Sequence, residues 1–170
     1  MSLEIKIKYY ADDAKRLEKI EKGDWIDVYA DSDLIIFEGE HEYIPLGFAC
    51  KLPEGYEAHL APRSSTFKNW GLVLTNSFGI IDESYCGEDD EWKLSVYCLQ
   101  GKHETVRHLL TYDADGYEHE VSKLIRFTKI NRGDKIAQFR IVEKMPDVVF
   151  KEVGKLDNEN RGGFGSTGTK

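Results

Sequence analysis

The sequence predicts an all-β domain of sandwich or barrel type. Three observations predict it. Apolar and polar residues alternate with period two in several stretches, Pro, Gly, Asn and Asp clusters interrupt them at short intervals, and only one short stretch has helical spacing. Leu3, Ile5, Ile7 and Tyr9 alternate with Glu4, Lys6 and Lys8, the pattern of a half-buried strand. Residues 12–21, with Leu17 and Ile20 on one side, read as a short helix. β-type runs follow around 26–29, 34–37 and 48–52, and Pro53-Glu54-Gly55 turns the chain. Tyr56, Ala58 and Leu60 then alternate with Glu57 and His59. After a run at 72–75, Gly79 suggests a tight hairpin before a buried pair, Ile80-Ile81. The acidic run Glu88-Asp89-Asp90-Glu91 reads as a solvated hairpin tip before Trp92 and a strand at 93–99. Val106 to Tyr112 and Tyr117 to Val121 flank Asp113-Ala114-Asp115-Gly116, a β-hairpin around an Asp-Gly turn. Asn131-Arg132-Gly133-Asp134 is a further turn, Ala137, Phe139 and Ile141 mark the next strand, and 148–153 reads as the last. No internal repeat is visible.

Composition narrows the function. The 170 residues carry 23 Lys+Arg against 31 Asp+Glu, a formal charge of −8. That balance argues against non-specific nucleic-acid binding, which needs a basic surface. The longest apolar runs are Leu34 to Phe37 and Val96 to Leu99, far short of the roughly 20 residues of a membrane span. The first residues alternate instead of forming an apolar signal core, so the expected location is cytoplasmic. Cys50, Cys86 and Cys98 form no CxxC pair and read as reduced thiols. Three His-Glu pairs lack the second His four positions on that a zinc protease needs, since Pro45, Arg107 and Lys123 stand there.

Several segments carry chemistry. Residues 61–66, Ala-Pro-Arg-Ser-Ser-Thr, combine a guanidinium with three hydroxyls after a strand, which suits either a phosphate cradle or an exposed strand-to-loop transition. Asp82, after Ile80-Ile81, is either an ordinary turn residue or a general base holding a water. Gly133 to Gln138 is by itself a turn entering a strand. The tail, with Gly162, Gly163, Gly165 and Gly168, reads as a disordered end or as a phosphate-wrapping arm. It is no P-loop: Thr169-Lys170 inverts the required order and no helix follows.

Taken together and in order, these segments resemble the five motifs of the trimeric deoxyuridine triphosphatases, the dUTPases. Trp25 to Ala30 is similar to the first motif, Pro62 to Ser65 to the second, Asn76 to Gly87 to the third, Gly133 to Gln138 to the fourth and Arg161 to Gly168 to the fifth. The resemblance runs from residue 3 to residue 170 apart from one insertion, and its form is similar to dUTPases of phages and prophages. It implies a jelly-roll-like β-barrel with a flexible Gly-rich C-terminal arm. Residues 1–154 would form a single barrel domain with an insertion at about 101–124, and 155–170 the arm closing over an active site.

The resemblance also implies a reaction: dUTP and water give dUMP and pyrophosphate, with Mg²⁺. Asp82 matches the general base, and Asp27 the carboxylate that holds the metal through water while the phosphates hold it directly. Arg63, Ser64, Ser65 and Gln138 would contact the phosphates. Asn76 and the backbone of Gly79, Ile80 and Ile81 would read uracil, and Tyr85 would lie under the deoxyribose. From the arm, Phe164 would stack on the base while Arg161, Gly165, Ser166 and Thr167 close over the phosphates. Partners implied are dUTP and two further copies of the chain, in a homotrimer with shared sites, with neither nucleic acid nor membrane. The insertion suggests either a decorated strand connection or a protein-binding arm.

Three departures stand out. Lys135 replaces the Arg common in the fourth motif, Arg161 lies three residues before Phe164 instead of five, and Asp82 and Gln138 are 56 positions apart, longer than the family's usual spacing. Two other readings compete: a dCTP deaminase of the same fold, and a dUTPase-like regulatory protein acting through the insertion. Asp82 and Tyr85 favour the dUTPase over the deaminase, which needs a Glu-centred water site and commonly a Trp at the tyrosine position.

Overall fold

In the computed structural model, which describes residues 3–160, the chain folds as twelve β-strands and one five-residue helix. The strands are β1 Lys6–Tyr9, β2 Ile26–Tyr29, β3 Leu34–Phe37, β4 His41–Pro45, β5 Phe48–Lys51 and β6 Tyr56–Pro62. After α1 Thr66–Trp70 come β7 Leu72–Leu74, β8 Gly79–Ile81, β9 Lys93–Cys98, β10 His103–Tyr112, β11 Glu118–Ile130 and β12 Lys135–Glu143. All strand pairings are antiparallel, in sheets ordered β1-β5, β10-β11-β3, β2-β12-β6-β8 and β4-β9-β7. The all-β class read from the alternation is the fold observed.

These sheets close on one apolar core. Along β6, Ala58 and Leu60 point inward and are buried, while Glu57 and His59 stay half-exposed, as a period-two strand requires. Trp92 is fully buried and packs against Phe48 and Phe139, each with ring centroids 5.2 Å away. Full burial of side chains this large contributes about 1.5–3 kcal/mol each. Exposed ion pairs contribute about 0–1 kcal/mol, so the core sets stability and the surface charges set geometry.

Four local readings are corrected. Residues 12–21 form a turn and then extended chain, without helix. Arg16 braces the turn: its guanidinium donates to the carbonyls of Ala11, Asp12 and Ala14 and lies over the Tyr9 ring. Leu17 donates its N–H to the Tyr9 hydroxyl, and Ile20 is exposed. Residues 148–153 form no strand. Val149 and Phe150 are over nine-tenths exposed, and no strand among the described residues pairs with them. Ile80 is 56% exposed and Ile81 half-buried, so they are not a buried pair. The turn before them centres on Ser77, at φ 62, and not on Gly79; β7 and β8 pair with different strands and form no hairpin. Glu88 to Glu91 is likewise no hairpin tip but a loop between two sheets. Glu88 pairs with Lys8 at 3.0 Å, and Glu91 accepts the Gly47 N–H at 3.0 Å.

The helix was not foreseen. It ends at Gly71, whose φ of 66 is left-handed and whose N–H donates to the Phe67 carbonyl. Its carbonyl accepts from both Leu99 and Gln100, and a Cβ there would lie 1.7 Å from the Gln100 carbonyl oxygen. Gly71→Ala therefore combines left-handed strain with a backbone clash. We expect a loss of about 2–4 kcal/mol, read as a lower urea midpoint at unchanged slope.

Candidate active site

β12 runs between β2 and β6, and its register gathers three of the sequence motifs. Gln138 stands opposite Asp27 on one side and Ala61 on the other. Pro62 ends β6, so Arg63 and Ser64 emerge beside the same point. Asp27, Arg63, Ser64, Lys135 and Gln138 line one cleft of about 360 Å³, with Trp25 and Tyr29 among its walls.

Asp27 is the hub of this cleft. Its Oδ1 accepts from Arg63 Nε at 2.9 Å and its Oδ2 from Lys135 Nζ at 2.9 Å. Arg63 also reaches the Lys135 carbonyl, and the Gln138 amide donates to the Pro62 carbonyl at 3.1 Å. Lys135, the departure from the family's Arg, thus fills a structural place: a point charge on the second carboxylate oxygen. The hydrogen bond to Asp27, with the same carboxylate's field, raises the Lys135 pKa above the ordinary lysine value.

Thr66, read from the sequence as one of three cradle hydroxyls, has a structural task instead. It is fully buried, accepts the Arg63 N–H at 2.9 Å and donates to the Ile136 carbonyl at 2.9 Å. It thereby ties the Arg63-Ser64-Ser65 turn to β12. The only signal in the sequence was the threonine closing Arg-Ser-Ser-Thr, which is indistinguishable there from another phosphate donor.

The third motif lies elsewhere. Ile81 registers with Ala58, so Asp82 emerges beside Glu57, at the opposite end of β6 from Arg63. Six residue steps, from Glu57 to Arg63, separate the two ends, about 20 Å at roughly 3.3 Å per residue. Asp82 lines a second cleft of about 300 Å³ with Tyr56, Glu57, Glu83, Ser84, Lys144 and Met145. Its carbonyl accepts the Tyr85 N–H at 3.0 Å, and the Tyr85 hydroxyl donates to the Glu91 carbonyl at 3.1 Å. Burial, reinforced by Asp90 and Glu91, pushes the Tyr85 phenol up from its usual pKa. Glu83 is held below the usual carboxylate range by its hydrogen bonds to Lys144 and the Gly55 N–H. Asn76 and Ile80 are exposed, while Gly79 is buried against Leu60. Within one chain the structure therefore assembles the predicted residues into two groups and does not bring the groups together. Arg161, Phe164, Gly165, Ser166 and Thr167 lie outside the described residues.

No group of three His, Cys, Asp or Glu side chains among the described residues could ligate a metal directly. Asp27 has each oxygen engaged once by a cation, which leaves one acceptor position per oxygen. That donor set fits a cation held through its waters. Among the described residues no helix is long and apolar enough to cross a membrane.

Comparisons with known proteins agree with one another. The dUTPase family model matches residues 22–107. A prophage-derived deoxyuridine 5'-triphosphate nucleotidohydrolase of Bacillus subtilis is 47% identical over 168 residues, 99% of this chain and all of that protein. A dUTPase mutant of Staphylococcus bacteriophage 80alpha, solved with dUpNHpp, superposes with a TM-score of 0.72 at 22% identity, covering 97% of this chain and 98% of the other. A mutant dUTPase from phage phi11 of S. aureus, whose structure coordinates a structural Mg(II) ion, matches with a TM-score of 0.68 at 21% identity, over 91% and 99% of the two chains. These neighbours carry the jelly-roll type of β-fold.

The double engagement of Asp27 has a measurable signature. A lysine whose folded-state pKa is raised contributes stability that is complete below its unfolded value, about 10.4, and is lost as pH rises through the folded value. Asp27→Asn should return Lys135 Nζ toward the ordinary lysine titration and abolish that alkaline loss of stability, read by NMR titration of the lysine Nζ and by melting above pH 9.

Proposed function

This chain belongs to the dUTPase family, and from that premise we propose that it hydrolyses dUTP to dUMP and pyrophosphate. One observation carries the reading beyond family membership. The Asp82 cleft lies beside one end of β6 and the Arg63 cleft beside the other, and we read them as two halves of a nucleotide site that do not meet on one α-phosphorus within a chain. The site is completed between copies, which supports a homotrimer with shared sites.

In this reading Asp82 accepts the proton of a water as the water oxygen attacks the α-phosphorus. The bond to the bridging oxygen of the β-phosphate breaks, and pyrophosphate leaves with that oxygen. The loop of Asp82 is set by its bond to the Tyr85 N–H, and the Tyr85 ring lies under the deoxyribose, where it leaves no room for a 2′-hydroxyl. Asn76 and the backbone of Gly79, Ile80 and Ile81 bind the uracil edge. A second copy supplies Arg63, Ser64, Ser65 and Gln138 to the phosphates. Arg63 is pre-oriented by Asp27 and by the Thr66 tie, so little ordering entropy is lost on binding. Mg²⁺, when bound, neutralises charge on the phosphates, and Asp27 is the residue that would hold its waters. Residues 155–170 form the arm, in which Arg161, Phe164, Gly165, Ser166 and Thr167 cover the bound nucleotide.

β10 and β11 project as a hairpin paired from His103↔Phe127 to Tyr112↔Glu118. Exposed Val106, Leu109, Leu110, Val121 and Leu124 lie on it, and Arg107 stands directly opposite Lys123. A two-stranded ribbon is marginal alone in water and like charges opposed across strands are unfavourable. We read the 101–124 insertion as a protein-binding arm. Its deletion should leave dUTP turnover intact while loss of a bound partner is scored by co-purification; loss of turnover in a folded protein would make the arm part of the catalytic body.

Pyrophosphate release from dUTP, dCTP, UTP and dTTP tests the reaction. Activity is expected on dUTP alone, dependent on Mg²⁺, and falling by about 10²-fold or more in Asp82→Asn. Ammonia release from dCTP would instead identify a deaminase. Sharing is tested by mixing. Asp82→Asn chains and Arg63→Ala chains, each inactive, should regain activity when unfolded together and refolded, because some sites then receive both intact halves.

A further inference from the structure

The turn between β7 and β8 is in an unfavourable conformation for its sequence. Ser77 takes a left-handed φ of 62 without being glycine. The turn is closed by two backbone bonds, Phe78 N–H to the Asn76 carbonyl at 2.7 Å and a long one from Ser77 N–H to the Leu74 carbonyl at 3.4 Å. Something outside the turn must hold it.

Two contacts from β6 do so. On the inner face, Leu60 registers with Gly79 and packs against it. On the outer face, His59 lies against Phe78, with ring centroids 5.3 Å apart and planes at 56°. His59 is itself fixed, since its Nε2 meets Glu57 Oε1 at 2.6 Å. Both of these side chains are about one-quarter exposed, whereas Phe78 is 44% exposed and touches solvent on its free side. An exposed phenylalanine at a turn gains nothing from water, so its place is set by the imidazole beneath it. Leu60 fixes the height of Gly79, and His59 fixes the direction of the Phe78 backbone that precedes it.

We propose that His59, oriented by Glu57 and acting through Phe78, is a positioning residue for base recognition. Resting on the dUTPase reading above, this assigns the Glu57-His59-Phe78 stack the task of holding the Asn76 to Ile81 segment in the conformation that reads uracil. It does not touch the reacting phosphate, so it acts on binding and base choice and not on the chemical step.

Three variants separate this role from a merely structural one. His59→Gln keeps a partner for Glu57 and loses the ring, Phe78→Ala loses the other ring, and His59→Phe keeps the stack and loses the bond to Glu57. Aromatic contacts of this kind change an equilibrium by about two- to tenfold. His59→Gln and Phe78→Ala should each raise KM for dUTP by that factor with kcat retained, and relax discrimination against dCTP. The double variant should be no worse than the worse single, and His59→Phe, which keeps the stack without its fixing by Glu57, should be impaired less than His59→Gln. Unchanged KM in both singles, additive effects in the double, or His59→Phe as impaired as His59→Gln would overturn the proposal. If His59→Gln fails to fold, Phe78→Ala, on an exposed turn, carries the same test. A wild-type protein without dUTP turnover would remove the dUTPase reading and this inference with it, whereas an active wild type with three unaltered variants removes this inference alone.

Discussion

The position of β12 between β2 and β6 is the constraint on which the rest depends. A strand in the middle of a sheet has its register fixed twice, once on each side. A slip of one residue would move Ala137 and Phe139 from the core to the surface. The register that buries Phe139 against Trp92 therefore also sets Gln138 level with Asp27 and Ala61. Packing energy in the core thus determines the positions of polar groups on the outer face. The ion pairs of Asp27 contribute little to stability at such exposure, but they convert this alignment into a fixed guanidinium.

The chain is acidic and yet the proposed ligand is strongly anionic. The arrangement around Asp27 shows how both hold. Two cations, Arg63 and Lys135, are concentrated at one cleft and share a single carboxylate, and with Lys22 against Glu18 and Asp24 the cleft lining is formally neutral although the whole chain carries −8. A negative surface elsewhere repels a polyphosphate polymer, while a small nucleotide needs only the cleft. Lys135 contributes to this as a charge and not as a fork, which explains how the fourth motif tolerates the replacement of arginine.

Much of the fold was legible because it rests on period two. The alternation around Tyr56 to Leu60 and Ala137 to Ile141 identified β6 and β12, the two strands that carry most of the site. The hairpin at 106–121 was legible from its Asp-Gly turn. Other features were not, and each for a physical reason. β4 escaped notice because only Ile44 of its five residues is buried. In place of the helix expected at 12–21 stands a turn braced by the Arg16 side chain on the Asp12 and Ala14 carbonyls, a contact no periodicity reports. Val148 to Phe150 looks like a strand because it has the side chains of one, but it pairs with no strand among the described residues and lies exposed. At the site, residue types were legible and their grouping was not. Only the register of β8 on β6 reveals that Asp82 and Arg63 sit at opposite ends of one strand.

The projecting hairpin has a consequence for how the protein behaves in solution. β3 pairs only with residues 127–130 of β11, so nine of the ten rungs of ribbon lie beyond it, with no third strand on either side. Open edges of this length invite growth into intermolecular sheets. The charges spaced along it, among them Glu104, Arg107, Glu118, Lys123 and Arg126, act as gatekeepers that keep such edges colloidally inert. The arm's composition is thus under two demands at once. It must stay charged enough to prevent fibril-like stacking at high expression, and apolar enough at Val106, Leu110 and Leu124 to remain folded. Any re-engineering of this ribbon has to be balanced against insolubility before it is judged on activity.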